Sequence, residues 1–192
     1  APPDALALGY AWMSMGLFRL RLGEPAQAVE DLREALRVLQ HSGSREPWAL
    51  VYAALAVSLR GVADVRERRR CAFEGQQLLQ SQRRWGEAAN LTLELIEIAL
   101  AESALDQARL LLQEARHLCA ELPAAAPVRC AVQLANSSVL FAEGRHQAAI
   151  ALAQEWLEAA KPHIASVDEA YFLERLAHRC GTALRQALVM GG

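Results

Sequence analysis

Five histidines are the first candidates for metal binding or acid–base chemistry in this chain. No two of them lie four residues apart and no HExxH sequence occurs, so their spacing does not support a zinc site on one helix. His117 and Cys119 are two residues apart, which places their side chains on different faces of a helix. We interpret all five histidines as structural or surface residues. They are His41, His117, His146, His163 and His178.

Two pairs of glutamates are the remaining candidates for acid–base catalysis. Glu94 with Glu97, and Glu155 with Glu158, are each three residues apart, a spacing that is common on exposed helix faces. The chain contains no glycine-rich phosphate-binding sequence of the GxxxxGK[ST] or GxGxxG type, and no GxSxG sequence. The sequence therefore predicts that the protein is not an enzyme and has no cofactor and no metal site.

The four cysteines show no CxxC spacing and lie in helical stretches with alanine and leucine. A chain of 192 residues can bury a core without disulfide bonds, and thiols in such surroundings behave as small apolar groups. We interpret them as reduced, structural residues, which favours a cytoplasmic protein. They are Cys71, Cys119, Cys130 and Cys180.

Charge and hydropathy argue against two classes of partner. The net charge is −2, from 20 basic and 22 acidic residues, whereas nucleic-acid binding favours a clear basic excess. No apolar stretch is long enough to span a membrane, and residues 1–22 do not have the pattern of a signal peptide. The basic run Arg66–Arg70 is either a patch for an acidic partner or a solvated face paired with Glu67 and Glu74, and we favour the second interpretation.

The elements that position these side chains are predicted to be helices, because helix formers fill most of the chain and strand formers are sparse. Asp64 with Glu67, and Ser166 with Glu169, match capping boxes, and Gly23 with Pro25 marks a turn between two helices. The predicted helices cover 4–22, 25–40, 47–61, 64–80, 85–102, 105–122, 127–142, 145–161 and 166–189.

The second of these helices has a pattern that returns every 40 residues. Ala28, Ala108 and Ala148 share one position, and Leu32, Leu112 and Leu152 share another, with no insertion between copies. A constant offset of this kind predicts an all-α solenoid of helix hairpins, each packed on the next. The predicted repeats are 4–43, 44–82, 83–122 and 123–162, with 166–189 as a terminal capping helix.

Trp12, Gly16, Ala28, Leu32 and Ala35 resemble the signature of the tetratricopeptide repeat (TPR) family. The resemblance covers nearly the whole chain and implies a right-handed superhelical solenoid. The chain departs from the family because its period is 40 residues instead of about 34. The Trp and Leu-Gly positions are also lost after the first copy. The long repeats resemble the sensor region of bacterial MalT/LuxR-type ATPase regulators.

In TPR proteins the first helix of each hairpin lines a concave face that binds peptides, partner helices or small ligands. The resemblance implies that this face carries apolar walls and a few polar groups, which suit a protein or peptide segment or a small effector. The alternative is that several of these side chains pack within the hairpins. The candidate binding residues are Tyr10, Met13, Leu17, Arg21, Leu50, Arg60, Asn90, Leu93, Glu97, Gln133 and Ser137.

The sequence thus favours a non-catalytic interaction module, the sensor or scaffold part of a larger bacterial regulator of transcription or signalling. The alternative is a self-associating structural domain that forms a homo-oligomer. Its contact would be one end of the array or a surface with Trp85 and Trp156, since tryptophan is enriched at interface hot spots.

Overall fold

A computed structural model describes residues 5–42, 45–62, 64–120, 122–123 and 127–160. These residues form eight α-helices and one short 3₁₀ helix, Leu59–Gly61, and no strand occurs among them. The prediction of an all-α protein is confirmed for this part of the chain. The helices are α1 (Ala5–Arg21), α2 (Pro25–Gln40), α3 (Trp48–Ser58), α4 (Val65–Ser81), α5 (Trp85–Ala101), α6 (Leu105–Leu118), α7 (Pro127–Ala142) and α8 (His146–Ala160).

Tight turns separate most consecutive helices. Gly23 and Gly144 have φ of 77° and 80°, a left-handed conformation that glycine adopts without strain. At Gly23 the turn is closed by hydrogen bonds from the Gly23 and Glu24 N–H groups to the carbonyls of Leu20 and Arg19. Pro25 then occupies the start of α2, where its missing N–H removes no hydrogen bond. The predicted turn and the bounds of α2 are therefore confirmed.

The start of α4 shows how a sequence signal can be half right. Asp64 caps the helix, since its carboxylate accepts hydrogen bonds from the N–H groups of Arg66 and Glu67, both at 3.0 Å. The Glu67 carboxylate pairs instead with Arg33 on α2, at 2.5 and 3.1 Å. This glutamate therefore links two helices.

The chain divides within α5 into two units, residues 1–95 and 96–192. In the first unit α1 packs on α2, α2 on α3, and α3 on α4. Gly16 allows the closest approach of α1 to α2. A Cβ atom placed there would lie 2.7 Å from Leu32 Cγ and 3.2 Å from the Ala28 carbonyl oxygen. Ala28 and Leu32 are themselves fully buried, so this contact forms part of the core of the first hairpin.

In the described part of the second unit, α7 packs on α6 and on α8. Leu134, Ala149 and Ala153 form a buried cluster, and Leu140 and Phe141 pack against it. Small residues of α8 therefore face α7, as Ala28 of α2 faces α1 in the first unit.

The predicted register is wrong in the fourth repeat. The second helices begin at Pro25, Val65, Leu105 and His146, so the last step is 41 residues long instead of 40. Accordingly, Ala149 is fully buried while Ala148 is exposed. The extra residue lies between the start of α6 and the end of α7. The predicted superhelical shape stays a prediction, and the predicted capping helix 166–189 lies outside the described residues.

Substitution of the two adjacent alanines tests this register. Ala149→Phe is expected to lower the free energy of unfolding by about 1–3 kcal/mol, because a ring has no space against Leu134. Ala148→Phe is the matched control and should change it by no more than about 0.5 kcal/mol, since this position is exposed. Urea denaturation measures both values. A larger loss for Ala148→Phe would restore the 40-residue register.

Candidate binding surface

One face of the first helices remains open along the first unit. From Ala88 to Ala99 every side chain of α5 is buried except those of Asn90 and Glu97, which are half-buried. These two residues are seven apart and therefore share one helix face. The 40-residue offset places Leu50 and Val57 at the same positions of α3, where Leu50 is exposed and Val57 is half-buried.

The same positions on α1 are Tyr10 and Leu17, and both side chains are exposed. We call the set Tyr10, Leu17, Leu50, Val57 and Asn90 the first-helix face. Its side chains are apolar on α1 and α3, and the amide of Asn90 adds a hydrogen-bonding group on α5. An open strip of this composition suits a ligand with apolar side chains and a free polar group.

Other predicted binding residues lie elsewhere. Met13, Leu93 and Ser137 are buried, so these side chains belong to the helix packing and do not line an open surface. Gln133 is half-buried, and Arg21 is exposed at the end of α1. The 41-residue step explains Ser137, because it places this serine at the position of Gly16 and not at that of Leu17.

Arg60 is held in an ion cluster. Its guanidinium group donates two hydrogen bonds to the Glu94 carboxylate, one of them at 2.8 Å from Nε to Oε2. Arg68 Nη2 donates to the same Oε2 atom at 2.7 Å. Glu94 is only 1% exposed. This glutamate, which the sequence suggested was exposed, thus joins the end of α3, α4 and α5.

The Arg60–Glu94 separation of 34 residues recurs in two other ion pairs of the chain. Arg33 pairs with Glu67, and Arg109 Nε lies 2.7 Å from Glu143 Oε1, each across 34 residues. Each pair joins elements of consecutive repeats. A search of the sequence for arginine and glutamate at this constant separation could have found the cluster, which composition and helical periodicity did not indicate.

The basic run on α4 is occupied by contacts within the protein. Arg68 binds Glu94, and Arg70 Nη2 lies 3.9 Å from Glu67 Oε1. Glu67 was predicted to be a partner of this run, and that part of the prediction is confirmed. Partial neutralisation of the run favours its interpretation as part of the helix packing over a patch for phosphate.

The thiols lack the environment of a reactive nucleophile. Burial raises the pKa of Cys71 to about 11, because the thiolate loses its hydration. Burial also raises the pKa of Cys119 and that of Cys130. Among the described residues, no three His, Cys, Asp or Glu side chains are grouped to hold a metal ion. His163, His178 and Cys180 lie outside the described residues.

Comparison with known proteins gives no relative for this chain. No family model matches the sequence, and no curated protein matches it either. In the described ranges, no helix has the length and apolar character needed to cross a membrane.

Proposed function

We propose that this chain is a non-catalytic, TPR-like interaction module that binds a protein or peptide segment on its first-helix face. The observation that carries the proposal is the pattern of burial on α5. Twelve consecutive residues, 88–99, leave only two side chains partly open, and both lie on the face that α3 and α1 also leave open. A surface that stays open at equivalent positions of three helices is a suitable place for a ligand.

The TPR-like character is supported by the first hairpin. Gly16 lies against Ala28 and Leu32, so the three positions that carry the resemblance form one close contact. Membership in a bacterial transcriptional or signalling regulator is a further proposal, which the coding sequence on either side of this chain would test. A P-loop ATPase domain before it and a helix-turn-helix domain after it would support the proposal.

The bound segment should have large apolar side chains. Tyr10, Leu17 and Leu50 offer apolar contact area, and burial of such groups would supply most of the binding free energy. The Asn90 amide can donate to and accept from a peptide backbone, which would fix the position of the segment. The first-helix face therefore favours an amphipathic helix or an extended apolar peptide.

Peptide display tests the proposal directly. The purified chain is screened against random 16-residue peptides, and the affinity of the selected peptides is measured by fluorescence anisotropy. Leu50→Asp is expected to weaken binding at least tenfold, because a carboxylate at this position would be desolvated in the complex. Asn90→Ala should weaken binding less and leave the unfolding midpoint nearly unchanged.

Leu110→Asp is the matched control, because Leu110 is 66% exposed on α6 and lies outside the first-helix face. This variant should bind the selected peptides as the parent chain does. Peptides that bind Leu50→Asp as tightly as the parent would show that the ligand occupies another surface. Circular dichroism of each variant ensures that the fold is retained.

A further inference from the structure

A second exposed apolar strip runs along α1, separate from the first-helix face. Its residues are spaced by three and four along the helix, as in the seam of a coiled coil. All are exposed, and Phe18 and Leu22 are the most open, at 60% and 58%. We call this strip the α1 seam. It consists of Leu8, Ala11, Met15, Phe18 and Leu22.

The equivalent positions of later repeats are covered. Forty residues after Ala11, Met15 and Phe18, the side chains of Val51, Leu55 and Ser58 are buried in α3. Eighty residues after them, Leu91, Leu95 and Ile98 are buried in α5. α3 packs on α2, the helix that precedes it. This repeat position therefore faces a neighbouring helix wherever one is present, and the α1 seam continues the same interface.

We propose that a second copy of this chain covers the α1 seam, with the two α1 helices antiparallel about a two-fold axis. In this arrangement Met15 faces the partner's Phe18, and Ala11 faces the partner's Leu22. Small and large side chains then alternate across the contact, which allows close packing. The same surface patch serves both copies, so the assembly is closed at two chains.

The charges beside the seam favour the same arrangement. The positions next to the seam place Trp12 opposite the partner's Arg19 and Ser14 opposite the partner's Arg21. No arginine faces another arginine, and Arg19 is held by Asp31 at 3.0 Å, so its orientation is fixed. A guanidinium group over an indole ring contributes a cation–π attraction. Antiparallel helices also bring opposite ends of their dipoles together.

Light scattering coupled to size-exclusion chromatography tests the dimer over a range of concentrations. The parent chain is expected to be a dimer at micromolar concentration. Phe18→Asp should raise the dissociation constant by about 30-fold or more, because it places a charge at the centre of the contact. Leu110→Asp, an equally exposed apolar residue on another helix, should leave the dimer intact. A monomer at 100 micromolar (roughly the upper limit for a specific weak contact), a larger assembly, or a dimer insensitive to Phe18→Asp would overturn the proposal.

The orientation is tested by electron paramagnetic resonance with a spin label on a cysteine at Ala7, after replacement of the native cysteines by alanine. The antiparallel arrangement predicts about 30 Å between the two labels, since each position lies far from the two-fold axis. A separation of about 10 Å would indicate parallel helices and overturn this arrangement.

The dimer and the first-helix face are independent of each other. Tyr10 and Leu17 are not part of the α1 seam, so Phe18→Asp should retain affinity for the peptides selected on the parent chain. Likewise Leu50→Asp should remain a dimer. Failure of one proposal therefore leaves the other open to its own test.

Discussion

Replacing Glu94 by alanine is expected to lower the free energy of unfolding by about 3–5 kcal/mol. The carboxylate is 1% exposed and is shared by the guanidinium groups of Arg60 and Arg68. Its removal leaves two cations that were stabilised by one anion in a region of low water access. Loss of one member of a buried charge cluster is costly for this reason. Urea denaturation of the variant and the parent measures the difference.

Arg33→Ala is the matched control. Arg33 also binds a glutamate 34 residues further along the chain, but its side chain is 46% exposed. Solvent screens such a pair, so its loss should cost no more than about 1 kcal/mol. Equal losses for the two variants would show that burial of the cluster adds nothing to its contribution.

A triple replacement separates charge from packing. Arg60→Met, Arg68→Met and Glu94→Leu together remove all the charges of the cluster while retaining much of its volume. The triple variant should be more stable than Glu94→Ala, because no buried charge remains without a counterion. Its helical content by circular dichroism should match the parent. A triple variant as unstable as Glu94→Ala would instead attribute the loss to the shape of the Glu94 side chain.

The sequence predicts helices well wherever local chemistry marks an end. The bounds of α2 and α7 agree with the prediction because a proline starts each helix. Asp64 was identified for the same reason, since a carboxylate that accepts backbone N–H groups acts within one turn of the chain. These signals need no knowledge of the distant parts of the fold.

Register depends on longer-range information. Residues 148–153 read Ala-Ala-Ile-Ala-Leu-Ala, so a shift by one residue still places apolar side chains on the buried face. Hydrophobic periodicity therefore could not detect the 41-residue step before α8. Only the packing of α7 distinguishes Ala149 from Ala148. The misplacement of Ser137 in the candidate site follows from the same uniform composition.

Burial of charge is equally hard to predict from one helix. The spacing of Glu94 and Glu97 is typical of a solvated face, and nothing near Glu94 on α5 indicates that two arginines meet it. Asn90 was identified because its position was inferred from the repeat and not from its own helix. The candidate site could thus be predicted where the period holds.

Replacing Leu32 by alanine is expected to lower the free energy of unfolding by about 2–5 kcal/mol. Leu32 is fully buried, and its Cγ atom lies closest to Gly16 across the first hairpin. The loss combines the transfer of apolar atoms to water with a cavity that the two helices cannot fully close. Leu110→Ala, at a position that is 66% exposed, should change stability by no more than about 0.5 kcal/mol. Urea denaturation compares the two.

Gly16→Ala completes a double-mutant cycle with Leu32→Ala. In the parent, the added Cβ atom would lie 2.7 Å from Leu32 Cγ, so one helix has to shift and the variant should lose stability. In the Leu32→Ala background that contact is absent, and the helix preference of alanine over glycine should contribute up to about 1 kcal/mol. The two substitutions should therefore couple, with the double variant more stable than the sum of the single effects predicts. Additive effects would mean that α1 and α2 do not approach each other at Gly16, and the contact that supports the TPR-like repeat would be lost.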